Sequence, residues 1–272
     1  MTIRFPTPTW LVGCGNMAGA MVEGWGKAGI DLDGVTAIRP SGLPVEGILT
    51  RTDYPAGETP RLVMLGFKPQ KLDEVVPLLA PRCRAETVIV SLLAGVEIAS
   101  LRARFPQVRA VIRAMPNLPV AIGQGVVALF GDDGATDEVA ELMGPLGLVV
   151  TTNTEAGLAA IGAIAGAGPA YVARFAEALA AAGQVHGVEA DALAIALQTL
   201  AGTATLMQAN GEDGAGLAKR VASPGGTTQA GLDVLDRGDA LARLVEATIA
   251  AAIARGRQLA AAAAVDNPVP LA

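Results

Sequence analysis

Up to Thr152 the chain alternates short apolar runs with amphipathic ones, and beyond it the short apolar runs cease. Thr9–Gly13, Val35–Ile38, Leu62–Phe67, Thr87–Leu93, Val108–Ile112, Val126–Phe130 and Leu148–Thr152 read as strands. Helical spacing fills Asn16–Ala28, Lys71–Leu79, Ile98–Phe105 and Asp137–Met143, with Met17, Met21 and Trp25 on one face of the first. Leu62–Phe67 is a continuous apolar run, as expected of a central parallel strand covered on both sides. This rhythm specifies an α/β fold built on a Rossmann-type, doubly wound parallel sheet.

After Thr152 the runs are helical: Glu155–Ala165, Ala170–Gly183, Ala190–Gln208, Gly214–Val221, Gln229–Asp236 and Asp239–Ala263. We therefore expect a dinucleotide-binding domain over residues 1–153 and an all-α dimerisation and substrate domain over 154–265. A loose tail with two prolines follows over 266–272. Hydrophobic residues make up 51 % of the chain but aromatics only 3 %, so its helices pack through small side chains. Broad apolar helix faces with little to cover them predict a homodimer, or a higher homo-oligomer, built through the second half.

Net charge is −6 and no basic run occurs, which argues against nucleic acid as a partner. The uncharged span 156–173 is mostly Ala and Gly and contains Pro169, a poor membrane helix. Met1–Trp10 has no apolar leader core. The expectation is a cytoplasmic protein with a small-molecule substrate. Cys14 and Cys83 lie far apart, and His186 is the single histidine, so neither a disulfide framework nor a metal site is expected. Asp132 and Asp133 read as a solvated turn.

Gly13-Cys14-Gly15-Asn16-Met17-Ala18 follows a strand and opens a helix, the setting of a dinucleotide loop. Gly13 permits the tight turn, Gly15 the approach of the pyrophosphate, and Ala18 close contact between helix and strand. The next strand ends in Arg39-Pro40-Ser41, where an acid would otherwise hold the ribose 2′-hydroxyl. A guanidinium and a hydroxyl suit a 2′-phosphate, so NADPH is expected, with NADH possible. Phe67-Lys68-Pro69 and Ala94-Gly95 end later strands and should line the cofactor crevice. Arg113 to Pro119 reads as a stiff loop, with Pro116 and Asn117 as a wall of the nicotinamide pocket.

Late in the chain, Ser223-Pro224-Gly225-Gly226-Thr227-Thr228 precedes a helix-periodic run. Adjacent glycines and a helix start expose backbone N–H groups to a small carboxylate or phosphate.

Six stretches, taken in order, make the chain resemble the pyrroline-5-carboxylate reductase family. They are Gly13–Ala18, Lys68-Pro69-Gln70, Ala94-Gly95-Val96, Arg113–Asn117, Gly166–Tyr171 and Ser223–Thr228. The resemblance implies a Rossmann domain followed by an interlocked helical dimerisation domain. It implies reduction of 1-pyrroline-5-carboxylate to L-proline with NAD(P)H, the last step of proline biosynthesis. It also implies a substrate site at the dimer interface, between one subunit's cofactor and the partner's helices. Thr228 matches the catalytic residue whose hydroxyl faces the ring nitrogen. The Gly226 and Thr227 N–H groups match those that face the carboxylate, in a substrate loop that includes Ser223 and Gly225. Glu155, fourteen positions before Pro169, matches an acid near substrate and cofactor.

Two departures stand out: Leu118 where the family usually has Thr, and Ala167 where it usually has Ser. The rival readings are a reductase of another cyclic imine or of a small β-hydroxyacid, and a non-catalytic NADP-binding protein. β-Hydroxyacid enzymes normally carry a catalytic Lys in a glycine-rich helix, and Gly166–Tyr171 has none.

Overall fold

The sheet is laid down strand by strand as the apolar runs demand. A computed structural model describes residues 3–132 and 134–266; the remainder of the expected tail and Asp133 lie outside the described residues. Eight strands form one sheet: β1 Thr9–Val12, β2 Val35–Ile38, β3 Leu49–Arg51, β4 Leu62–Leu65, β5 Val88–Ser91, β6 Ala110–Pro116, β7 Gly125–Gly131 and β8 Gly147–Thr151. Their order is β3-β2-β1-β4-β5-β6-β7-β8. The first six run parallel, β7 joins β6 antiparallel, and β8 runs parallel to β7. The sheet is thus of the expected doubly wound kind, dominated by parallel pairs, with its last two strands reversed.

Helices cover both faces. Met21, Val22 and Trp25 of α1 (Asn16–Lys27) and Leu142 and Met143 of α4 (Ala135–Met143) pack on Leu11, Met64, Val90 and Ile112. On the other face, Leu72 and Leu79 of α2 (Leu72–Leu79) and Leu101 of α3 (Ile98–Arg104) pack on Trp10, Val63, Ile89 and Val111. Successive strand residues point to opposite faces, so a strand sandwiched this way must be apolar throughout. The Trp25 indole N–H donates to the Leu142 carbonyl at 2.8 Å, satisfying the one polar atom that ring buries.

Two local expectations need correction, and one strand falls outside the expected runs. The segment between Pro40 and Pro60 contains a strand, β3, whose three residues are too few and too exposed to show a pattern. Arg113 to Pro116 is not loop but the second half of β6, paired with β7 from Ile112↔Gly131 to Pro116↔Val127. Asp132 is not simply solvated: it accepts the Val111 N–H at 2.9 Å and pairs with Arg102.

Chain contacts divide the molecule at Ala167/Gly168, with the residues from Ala252 onward grouped with the first unit. That first unit also contains α5 (Glu155–Ile161), entered through Thr154, whose hydroxyl accepts the Gly157 N–H at 2.9 Å. A π-helical turn over Gly162–Gly166 follows. The second unit holds α6 (Gly168–Val185), α7 (Ala192–Asn210), α8 (Gly214–Val221) and α9 (Thr227–Asp236), and α10 (Ala240–Asp266) begins in it. The α6–α7 seam is closed by Ala180, Ala192 and Ala196 with Val188 against them.

Candidate active site

The glycine loop sits where β1 gives way to α1. Gly13 has φ +78°, and a side chain there would also stand 2.9 Å from the Phe67 Cβ, so glycine is required twice over. Gly66, which the motif reading passed over, is equally constrained: a Cβ would meet the Gly13 carbonyl at 2.5 Å and the Ala18 methyl at 3.2 Å. A glycine ending an apolar strand signals such a close approach. Gly15 is the N-cap of α1 and supplies no side-chain cap. The N–H groups of Asn16, Met17 and Ala18 therefore have no partner from a cap, and the helix dipole favours an anion in front of them. A side chain at Gly15 would meet nothing nearer than the Gly66 carbonyl at 4.0 Å, so the space above the loop is clear for a ligand.

At the end of β2, the Gly42 N–H donates to the Arg39 carbonyl at 3.0 Å and closes a turn over Arg39-Pro40-Ser41-Gly42. The Arg39 N–H donates to the Arg51 carbonyl at 2.9 Å, so β3 buttresses this turn. A cleft of about 790 Å³ opens beside it, lined by Cys14, Gly15, Asn16, Arg39, Val45 and Glu46 among others. Burial pushes the Cys14 thiol up, and the Arg39 guanidinium opposes that shift. The arginine's charge is thus felt at the glycine loop itself. No carboxylate stands at Arg39, Pro40 or Ser41.

The other strand ends fall into line. Phe67, Lys68 and Pro69 follow β4, with Lys68 exposed, and Ala94 and Gly95 form a turn after β5 with Gly95 at φ +76°. Pro116 closes β6, in the stretch past Arg113 where β5 no longer pairs with it and a missing N–H costs no ladder bond. The Asn117 carboxamide is engaged inside the fold. Its Oδ1 accepts the Val126 N–H at 2.8 Å, and its Nδ2 donates to the Ala165 carbonyl at 2.9 Å. Glu155 is engaged as well: one carboxylate oxygen accepts the Ile98 N–H at 2.9 Å and the other pairs with Arg113.

In the second unit, the turn before α9 has Gly225 at φ +71° and the Gly226 N–H donating to the Ser223 carbonyl at 2.9 Å. A side chain at Gly226 would collide with the Ser223 hydroxyl. Gly226 is the N-cap and offers no side-chain cap, and Thr227 and Thr228 are exposed. This is a second helix start with open N–H groups, and here two hydroxyls stand beside them.

Residues 155–259 match the family profile described as pyrroline-5-carboxylate reductase dimerisation. The chain is 31 % identical over 261 residues to the pyrroline-5-carboxylate reductase of Pseudomonas aeruginosa, covering 92 % of this chain and 95 % of that one. It belongs to the pyrroline-5-carboxylate reductase family. A solved pyrroline-5-carboxylate reductase from Coxiella burnetii superposes with TM-score 0.83 at 28 % identity, over 93 % of this chain and 98 % of that one. A Plasmodium falciparum pyrroline carboxylate reductase, solved with NADP bound, shares the fold at TM-score 0.79 and 20 % identity, covering 94 % and 99 %. Of the two positions at which this family member departs from the usual pattern, Leu118 is exposed at the start of a short 3-10 turn, and Ala167 directly follows the π turn.

Proposed function

We propose that the enzyme reduces 1-pyrroline-5-carboxylate to L-proline with NAD(P)H and works as a cytoplasmic homodimer. The observation that carries the chemistry is the α9 start, where uncapped N–H groups and the Thr228 hydroxyl lie side by side. The substrate pairs a carboxylate with a C=N group one carbon away, and this arrangement offers a site to each. When bound, the reduced nicotinamide would supply the hydride that the carbon of the C=N group accepts. The N–H groups of Asn16 and Met17 would hold its pyrophosphate, and Arg39 and Ser41 a 2′-phosphate.

The chain's own contribution is placement. The Thr227 N–H at the open start of α9 anchors the carboxylate, which fixes the ring, while the Gly226 N–H, which the resemblance assigns to the same task, is engaged by the Ser223 carbonyl and shapes the turn. The Thr228 hydroxyl hydrogen-bonds the ring nitrogen as its charge changes. The iminium is the better electrophile, so the nitrogen gains its proton before or with the hydride, from solvent or with the substrate. Ser223 and Gly225 hold the turn in shape.

The second unit's exposed side chains fit an assembly. Two stretches, Glu155–Val185 and Ala192–Asn210, are long and apolar enough to cross a membrane by length and composition. We assign their apolar faces to a second copy instead of lipid, because the family's dimerisation profile spans both.

Thr228→Val tests the site. A hydrogen bond to a charged group contributes about 1.5–3 kcal/mol, so kcat/KM should fall about 10- to 100-fold while NADPH affinity holds. An unchanged kcat/KM removes Thr228 from the mechanism. A panel of five- and six-membered cyclic imino acids, assayed by NADPH oxidation, tests the substrate; no turnover of the five-membered ring overturns the reading.

A further inference from the structure

Arg113 is the single charged residue of β6. Its side chain is only 9 % exposed, a place where an unpaired charge is strongly disfavoured. The guanidinium is paired with Glu155, the first residue of α5. The other oxygen of that carboxylate accepts the N–H of Ile98, the first residue of α3. Ile98 comes three residues after the Ala94–Gly95 turn that leaves β5. One carboxylate thus joins three pieces of the first unit: the start of α3 just past that turn, the middle of β6 and the start of α5.

The contact continues along the strand. Arg113, Met115 and Asn117 alternate and so share one face of the chain. Met115 packs so closely on Gly162 that a methyl group there would strike its sulfur. Asn117 donates to the Ala165 carbonyl. The three strand residues thus meet Glu155, Gly162 and Ala165 in the same order along α5 and the π turn that follows it. The pair at Arg113 is therefore the first tooth of a seam and not an isolated surface contact.

We propose that Arg113, acting through Glu155, is a positioning residue that fixes the Ala94–Gly95 turn against which the nicotinamide is to lie. This rests on the reductase reading above and on the expectation that the turns ending the parallel strands, this one among them, line the cofactor crevice. On this view Glu155 is not a substrate ligand: both its oxygens are held within the first unit.

The test compares Arg113→Met, Arg113→Lys and Glu155→Gln in the full-length enzyme. Arg113→Met and Glu155→Gln each lower kcat about 10- to 100-fold, with the imine KM within about threefold of wild type. The double variant is no worse than the poorer single one, because both remove the same link. Arg113→Lys recovers most of the rate by restoring the charge. The primary isotope effect with 4-deuterated NADPH grows, which a general loss of folded protein does not cause. In cofactor-free protein, amide exchange over 94–98 speeds up in Arg113→Met while that of β1 is unchanged. Should Arg113→Met fail to fold, Glu155→Gln, which keeps the shape and an acceptor for Ile98, carries the same kinetic test.

If Glu155→Gln raises the imine KM and Arg113→Met leaves kcat within twofold, Glu155 is a substrate ligand. The proposal is then overturned while the reductase reading stands. Additive losses in the double variant overturn it too. A wild-type enzyme inactive on the imine overturns both.

Discussion

The two units of this chain bury their apolar side chains in opposite ways. In the first, the sheet is covered on both faces, and large side chains such as Trp10, Trp25, Phe105 and Leu65 are almost wholly enclosed. In the second, the enclosed seam is three alanines, while Val172, Phe175 and Leu179 of α6 and Ile195 and Leu197 of α7 remain 42–55 % exposed. A folded unit gains most of its stability from apolar area removed from water. The first unit has that within one copy. The second does not, and its exposed apolar residues lie within the stretch that matches the family's dimerisation profile.

The sharpest way to break this contrast is to charge the exposed stripe. Val172, Phe175 and Leu179 recur at helical spacing on α6. Phe175→Glu combined with Leu179→Glu should convert the dimer to monomer in sedimentation velocity and lower Tm by more than about 10 °C. An unaltered sedimentation coefficient would mean that this stripe is not the contact between copies, and the contrast would lose its explanation.

A smaller effect probes the first unit, where the residue proposed to read the cofactor is a half-buried charge and not a core side chain. Arg39→Gln should lower kcat/KM with NADPH about 10- to 100-fold, the magnitude of a charge-assisted hydrogen bond. The value with NADH should stay within about twofold. If wild type already prefers NADH or treats the two alike, Arg39 does not read the 2′-phosphate.

The smallest effect concerns the surface of that same unit. Glu138 is held below the ordinary carboxylate value first by its hydrogen bonds from Arg109 and also by that residue's charge, against an opposing cost of burial. A carboxyl with a depressed value in the folded state stabilises above its unfolded value and ceases to do so as pH falls through the folded one. Both partners are well exposed, so Glu138→Gln should lower Tm by at most about 1–2 °C near neutral pH. Below the ordinary carboxylate range the difference should vanish. A difference that persisted there would have to come from packing and not charge.

Legibility in the sequence followed the same division. The strand runs, the helix of Met21 and Trp25 and the glycine loop could be read because a covered sheet imposes continuous apolarity and a dinucleotide loop imposes glycine. Gly66 was legible in principle, as a glycine ending a buried strand. β3 was not, because three half-exposed residues set among glycine and proline carry no period. Arg113 to Pro119 reads as a stiff loop, since proline usually ends a strand. Only the pairing shows that β5 has already stopped alongside it. The fate of Glu155 was also hidden. Which groups its carboxylate meets depends on Arg113 and Ile98, 42 and 57 positions away along the chain.

The alanine seam between α6 and α7 has a consequence for how such a chain can change over time. Alanine has no rotamers and no volume to give up, so a swap at Ala180, Ala192 or Ala196 cannot be absorbed by repacking its neighbours. Tolerated drift in this half should therefore gather on the large outward residues. It should appear as matched pairs whose two members sit in different copies, a covariation signal that one isolated protomer would make look like noise.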